Sequence, residues 1–331
     1  MARILMLLPC AVDAPRGNVT TARRLAQGLA RHRHEVLLHE AAELASAPGA
    51  DLVVALHAGH SAPAAAALAA ERGCGYLVLF TGTDLNGRPN AAARQAVQGA
   101  AACVVLGPAA AKRARQLHGG VPERYTVIRQ AAVALPEPPD REMPPGCPAL
   151  AAEDELILMP TGIRAVKAPR QALWALAPLA AKRPTLRLWI AGPELEAAEA
   201  EALRQELETA PWACWTGPVP RDRLLTLVRR SALVISTSRS EGGPPNALLE
   251  AALARRAILA SDIPAHREFP GPEQLYQDHA QLRRLVEGLL DDPSGRGRDA
   301  AKLREAVRTG YSPAAEATAW SRVVAAALER V

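Results

Sequence analysis

One pattern constrains the chain more than any other: short apolar runs alternate with longer Ala-rich stretches, and a single proline-rich break divides the series in two. In the first half the runs are Ile4 to Leu8, Glu35 to His39, Leu52 to Leu56, Tyr76 to Phe80, Ala102 to Leu106 and Tyr125 to Ile128. Helical stretches start at Val19, Ala62, Ala91 and Pro108. Strand, helix and strand at this spacing predict a parallel sheet covered on both faces. Residues 131–153 break the rhythm with Pro136, Pro138, Pro139, Pro144, Pro145 and Pro148, and read as a linker. A second series follows at Glu155 to Met159, Leu186 to Ala191, Ala213 to Trp215, Leu233 to Ser236 and Ala257 to Ser261. The expected organisation is an α/β domain at 1–130, the linker, and a second α/β domain at 154–312. An amphipathic helix at 313–331, carrying Trp320, is expected to pack back across the linker onto the first domain. Two such domains joined by a hinge are expected to turn the carboxyl ends of both sheets toward one cleft, where ligands of these folds bind.

Composition excludes several classes. At 331 residues with 49% apolar and 22% charged side chains, the chain is globular rather than disordered. Its longest apolar runs fall far short of the roughly 20 residues of a spanning helix. Met1-Ala2-Arg3 leads directly into a strand-like run with no cleavage site after it, so a cytoplasmic location is expected. Five scattered cysteines (Cys10, Cys74, Cys103, Cys147, Cys214) form no CxxC pair and are expected to be reduced core thiols. The net charge of +5 admits an anionic partner. The arginines are dispersed without aromatic interleaving, which points away from nucleic acid and toward solvated helix faces. GxGxxG, GxSxG and a strand-following Asp-x-Asp are all missing, which removes the main support for a dehydrogenase, an α/β hydrolase and a metal-dependent transferase. Neither a metal nor a cofactor is expected.

Chemistry concentrates at three places. Ser238-Arg239-Ser240-Glu241-Gly242-Gly243-Pro244-Pro245-Asn246 follows an apolar run and opens a helix that carries Glu250. A Gly-rich turn at a helix start presents backbone N–H groups to an anion, which suits a diphosphate. Pro160-Thr161-Gly162-Ile163-Arg164-Ala165-Val166-Lys167 follows the first strand of the second series. Arg164 is suited to grip a diphosphate through its planar fork, and Lys167 as a point charge. In the first half, Gly17, Asn18 and Thr20 follow the first strand, where Asn18 or Thr20 is either a helix cap or a ligand contact. His57, with His60 behind it, and Asp84 follow later strands. Asp84 either orients a hydroxyl, serves as a base or closes an Asx turn.

These runs resemble the retaining glycosyltransferases of family four, whose hallmark is a pair of glutamates framing a Gly-containing turn. The resemblance covers most of the chain and is most specific at 162–167 and 238–251. Here eight residues separate Glu241 from Glu250, where the family pattern has seven. The resemblance implies a GT-B fold and metal-independent, retaining transfer from a nucleoside-diphosphate sugar, such as a UDP-sugar, to a small-molecule or glycan acceptor. It places the donor on Gly162, Arg164, Lys167, Gly242, Gly243, Asn246 and Glu250. Catalysis falls to His57, Arg164, Lys167 and Glu241, and the acceptor side to Gly17, Asn18, Thr20 and Asp84. The elements Gly-Asn-x-x-Thr-Ala, Ala-Leu-His-Ala and Thr-Gly-Thr-Asp-Leu are also similar to bacterial selenosugar synthases, which leaves transfer to selenophosphate as an alternative. A non-catalytic sugar or nucleotide binding protein, and an epimerase or phosphorylase on the same scaffold, are the remaining alternatives. The acceptor, the sugar, the base and the oligomeric state stay open.

Overall fold

The computed structural model describes residues 1–331 except Pro15, Arg141, Pro145, Gly146, Pro270, Pro272, Glu273 and Val331. The expected linker residue Pro145 and the last residue of the expected terminal helix, Val331, therefore lie outside the described residues. The chain divides into two compact units: Met1–Ala131 with Glu241–Gly243 and Tyr311–Val331, and Ala132–Ser240 with Pro244–Gly310.

The first unit is built on a six-stranded parallel sheet of β1 (Arg3–Leu8), β2 (Glu35–Glu40), β3 (Leu52–Leu56), β4 (Gly75–Leu79), β5 (Ala102–Val105) and β6 (Tyr125–Val127), in the order β2-β1-β3-β4-β5-β6. Its central strands are buried on both faces, the reason they read as continuous apolar runs. Ile4, Met6 and Leu8 of β1 join one core cluster while Leu5 and Leu7 join the other, as the two-residue strand period requires. The helices are α1 (Gly17–Arg31), α2 (Ala62–Arg72), α3 (Ala91–Gly99) and α4 (Pro108–His118). The terminal helix α12 (Pro313–Leu328) belongs to this unit and sets Trp320, Val324 and Ala327 among the side chains of β1, β3 and α1.

The second unit repeats the plan with β7 (Glu155–Pro160), β8 (Leu186–Ala191), β9 (Ala213–Gly217), β10 (Leu233–Ser236), β11 (Ala257–Ser261) and β12 (Leu275–Tyr276), in the order β12-β11-β10-β7-β8-β9. Its helices are α5 (Arg170–Ala180), α6 (Ala197–Leu207), α7 (Arg221–Arg230), α8 (Asn246–Leu253), the one-turn α9 (Pro264–Arg267), α10 (His279–Asp291) and α11 (Pro293–Gly310). The chain winds outward from β7 through β8 to β9, then returns to pair β10 against β7. The strand order thus reverses between β7 and β10, the position where open α/β sheets bind ligands. In the first sheet the reversal lies between β1 and β3.

Several expectations are corrected. Helix α1 starts at Gly17 instead of Val19, with Arg16 in the cap position and no side-chain cap bond, so neither Asn18 nor Thr20 caps it. The two-residue β12 was not expected; two residues are too few to show a period. Of the five thiols, Cys10 and Cys103 are buried, whereas Cys74, Cys147 and Cys214 are half-buried. Among the described residues no helix is long and apolar enough to cross a membrane.

Candidate functional site

The residues singled out in the second unit sit at the carboxyl ends of β7 and β10, on either side of its reversal point. After β7, Gly162 lies against Leu195, and the 3-10 turn Ala165–Lys167 is closed by Lys167 N–H donating to Arg164 O at 2.9 Å. Glu196 holds the turn, its Oε2 accepting from Ala165 N–H at 2.8 Å. Arg164 and Lys167 are both half-buried. The Nε of Arg164 is enclosed and makes no hydrogen bond among the described residues.

The loop after β10 is stitched to this turn. Thr237 Oγ1 lies 2.9 Å from both Lys167 O and Ala168 O, and Arg239 N–H donates to Val166 O at 2.8 Å. On its other side Ser261 Oγ donates to Ser238 O at 2.5 Å. The cations are therefore carried on a loop braced by its neighbour, a condition for holding an anion in one place.

Helix α8 starts at Asn246, and Pro245 in its cap position makes no side-chain cap bond; this start is the positive end of the helix. One turn on, Glu250 is buried at 6% exposure, and its Oε1 accepts from Arg221 Nη2 at 2.5 Å. Arg221 opens α7 and was not anticipated; the pair lies 29 positions apart, and no local pattern announces it. Glu241, Gly242 and Gly243 group with the first unit, where Gly242 lies against Gly82 and Gly243 against Leu106.

In the first unit His57 ends β3 with φ of +99°, a left-handed conformation unusual for a side chain other than glycine. Its ring shows why. Nδ1 accepts from Gly59 N–H and His60 N–H, both at 3.1 Å, so the proton sits on Nε2, which donates to Thr83 Oγ1 at 3.0 Å. A ring whose two nitrogens are both engaged acts as a pin between two loops. The ring of His60, which is exposed, lies 4.4 Å from it between centroids, tilted by 40°. The Asp84 carboxylate accepts from Ala58 N–H at 2.9 Å, Gly82 N–H at 2.8 Å and Thr81 N–H at 3.1 Å, tying the loops after β3 and β4 together. Gly17, Asn18 and Thr20 lie in the first turn of α1 beside the first reversal point, Gly17 exposed and the other two half-buried. Among the described residues no group of three or more His, Cys, Asp or Glu is placed to hold a metal ion.

Residues 148–309, just under half of the chain, match the family model described as Glycosyl transferases group 1. The Glycosyltransferase 1 domain-containing protein 1 of Xenopus tropicalis is 25% identical over 160 residues, which are 47% of this chain and 46% of that protein. The chain thus spans about half the length of the curated relative it matches. Among solved structures, sucrose-phosphate synthase from Thermosynechococcus elongatus superposes with a TM-score of 0.80 at 15% identity, covering 100% of both chains. HepE of Anabaena, in complex with UDP-glucose, superposes with a TM-score of 0.77 at 13% identity, covering 98% of this chain and 100% of that one. These likenesses show the fold: two parallel-sheet, Rossmann-like α/β units, as in GT-B glycosyltransferases.

Proposed function

We propose that the chain is a glycosyltransferase that takes its sugar from a nucleoside diphosphate held by the second unit. The observation that carries this reading is the cationic turn Arg164–Lys167, braced by Thr237 and Arg239 at the reversal point between β7 and β10. Beside it are the start of α8 and the buried carboxylate of Glu250. A diphosphate needs the cations and the N–H groups, and a ribose diol needs a fixed carboxylate acceptor. The family match of this segment and the UDP-glucose bound by HepE support the same assignment.

In this reading Arg164 and Lys167 hold the charge that grows on the leaving diphosphate, which is the work other transferases give to a metal ion. Reaction proceeds with retention, as in family four. The bond from the anomeric carbon to the diphosphate breaks, the acceptor oxygen bonds to the same face, and its proton passes to the departing diphosphate. Glu241 faces the sugar, and Gly17, Asn18, Thr20 and the loops pinned by His57 and Asp84 serve the acceptor, a small molecule or a glycan. The donor is a UDP-hexose, no cofactor takes part, and the protein works in the cytoplasm.

Thermal unfolding with UDP, GDP, ADP and UDP-glucose tests the donor site. A ligand at about a hundred times its Kd adds roughly 2.7 kcal/mol to stability. The expected result is a rise with the uridine series that Lys167→Ala and Glu250→Ala both lose. A wild-type protein that no nucleotide stabilises would refute the reading.

A further inference from the structure

We infer that the second unit carries a saccharide-binding site on the β11–β12 side of its sheet, sharing only the wall Thr237–Arg239 with the loops assigned to the nucleotide. A cavity of about 860 Å³ opens at the carboxyl ends of β10, β11 and β12, against the starts of α5 and α10. That volume is within the roughly 300–1,000 Å³ of small-molecule sites. Arg164, Lys167, Asn246 and Glu250 are not among its lining residues. Thr237–Arg239 forms the dividing wall, one side bonded to the turn at Lys167 and the other facing the cavity.

The lining specifies the ligand class. Its two arginines, Arg239 and Arg267, are matched by Asp262 and Asp278, so the site offers no net charge to a phosphate. Asp262 is gripped by Arg267 at 2.6 and 3.0 Å, and that contact holds its carboxyl below the usual carboxylate range. It is therefore an ionised acceptor with lone pairs to spare. Gln171 and Gln277 add amides that both donate and accept. His279 Nε2 lies 3.3 Å from Gln171 Oε1. Planar polar groups of both senses, in balance, suit the vicinal hydroxyls of a sugar better than an ion.

An aromatic surface lies alongside. Trp174 is on the same face of α5 as Gln171, one turn on, and is 45% exposed, with its ring 6.2 Å from that of His279. Arg170 lies 5.0 Å from its ring centre and steadies it. An exposed indole beside a polar cavity offers the apolar C–H face of a pyranose ring a partner that water does not.

The test is saturation-transfer NMR and titration of the full chain with the methyl glycosides of glucose, galactose, mannose and N-acetylglucosamine and with maltotriose, each with and without saturating UDP. Saturable binding that survives UDP, and that Trp174→Ala and Gln277→Ala each weaken by about tenfold, is the expected result. Both variants should keep the thermal response of the wild type to UDP, which shows that they fold. Affinity that rises with chain length assigns the site to a glycan acceptor, and equal affinity assigns it to a free monosaccharide. Displacement of the glycosides by UDP, or no saturable binding by any of the panel at millimolar concentration, overturns the proposal. The readout is sugar binding without transfer, so its failure leaves the donor assignment standing.

Discussion

At the residue scale, one short polar side chain does most of the work at the carboxyl edge of the first sheet. Asp84 satisfies three backbone N–H groups from two loops, and His57 satisfies two more while donating to Thr83. Removing the carboxylate strands donors that water reaches poorly, each worth about 1–3 kcal/mol. Asp84→Ala is therefore expected to cost roughly 2–4 kcal/mol, read as a lower urea midpoint at unchanged slope. The sequence marked His57 and Asp84 as polar residues after strands and left the role of Asp84 open between chemistry and turn closure. Its partners come from two loops that sequence alone does not bring together.

At the element scale, α12 is held to α1 by a buried ion pair. Arg24 Nε donates to Glu316 Oε2 at 2.8 Å and Nη2 to Oε1 at 3.0 Å, with side chains only 8% and 4% exposed. Breaking one side leaves a lone buried charge, so Glu316→Ala is expected to cost about 3–5 kcal/mol. Replacing both partners, as in Arg24→Met with Glu316→Leu, should restore most of it; a double variant no better than the single would show that packing rather than charge is lost. In the second unit the loops after β7 and β8 touch at Gly192, where an added Cβ would lie 1.9 Å from Thr161 O. Gly192→Ala must push apart the segment that carries Gly162 and Arg164. The expected result is a loss of nucleotide response larger than the loss of stability, compared by thermal unfolding with and without UDP.

At the scale of the whole molecule, acid stability is set in part by buried imidazoles. His118 is 1% exposed, and neither ring nitrogen has a hydrogen-bond partner among the described residues. Burial holds its pKa below the ordinary 6.5, and His34 is lowered for the same reason. The unfolded chain takes up these protons more readily than the folded one, so stability is complete above about pH 6.5 and falls as pH drops through the lower folded values. His118→Leu should lose less stability than the wild type between about pH 7.5 and about pH 5, measured by urea midpoints; equal losses would place the acid sensitivity elsewhere. The alternation of apolar runs was enough to give two parallel α/β units and nearly every strand, because strands buried on both faces must be apolar throughout. The Gly-rich and cationic runs were legible too, since a turn that exposes N–H groups needs glycine and an anion needs cations. Tertiary structure alone decided that Arg221 meets Glu250, that Thr237 braces Lys167 and that His57 meets Thr83. Each of these joins residues far apart in the chain, and local propensity carries no information about which distant groups the folded core brings within hydrogen-bond reach.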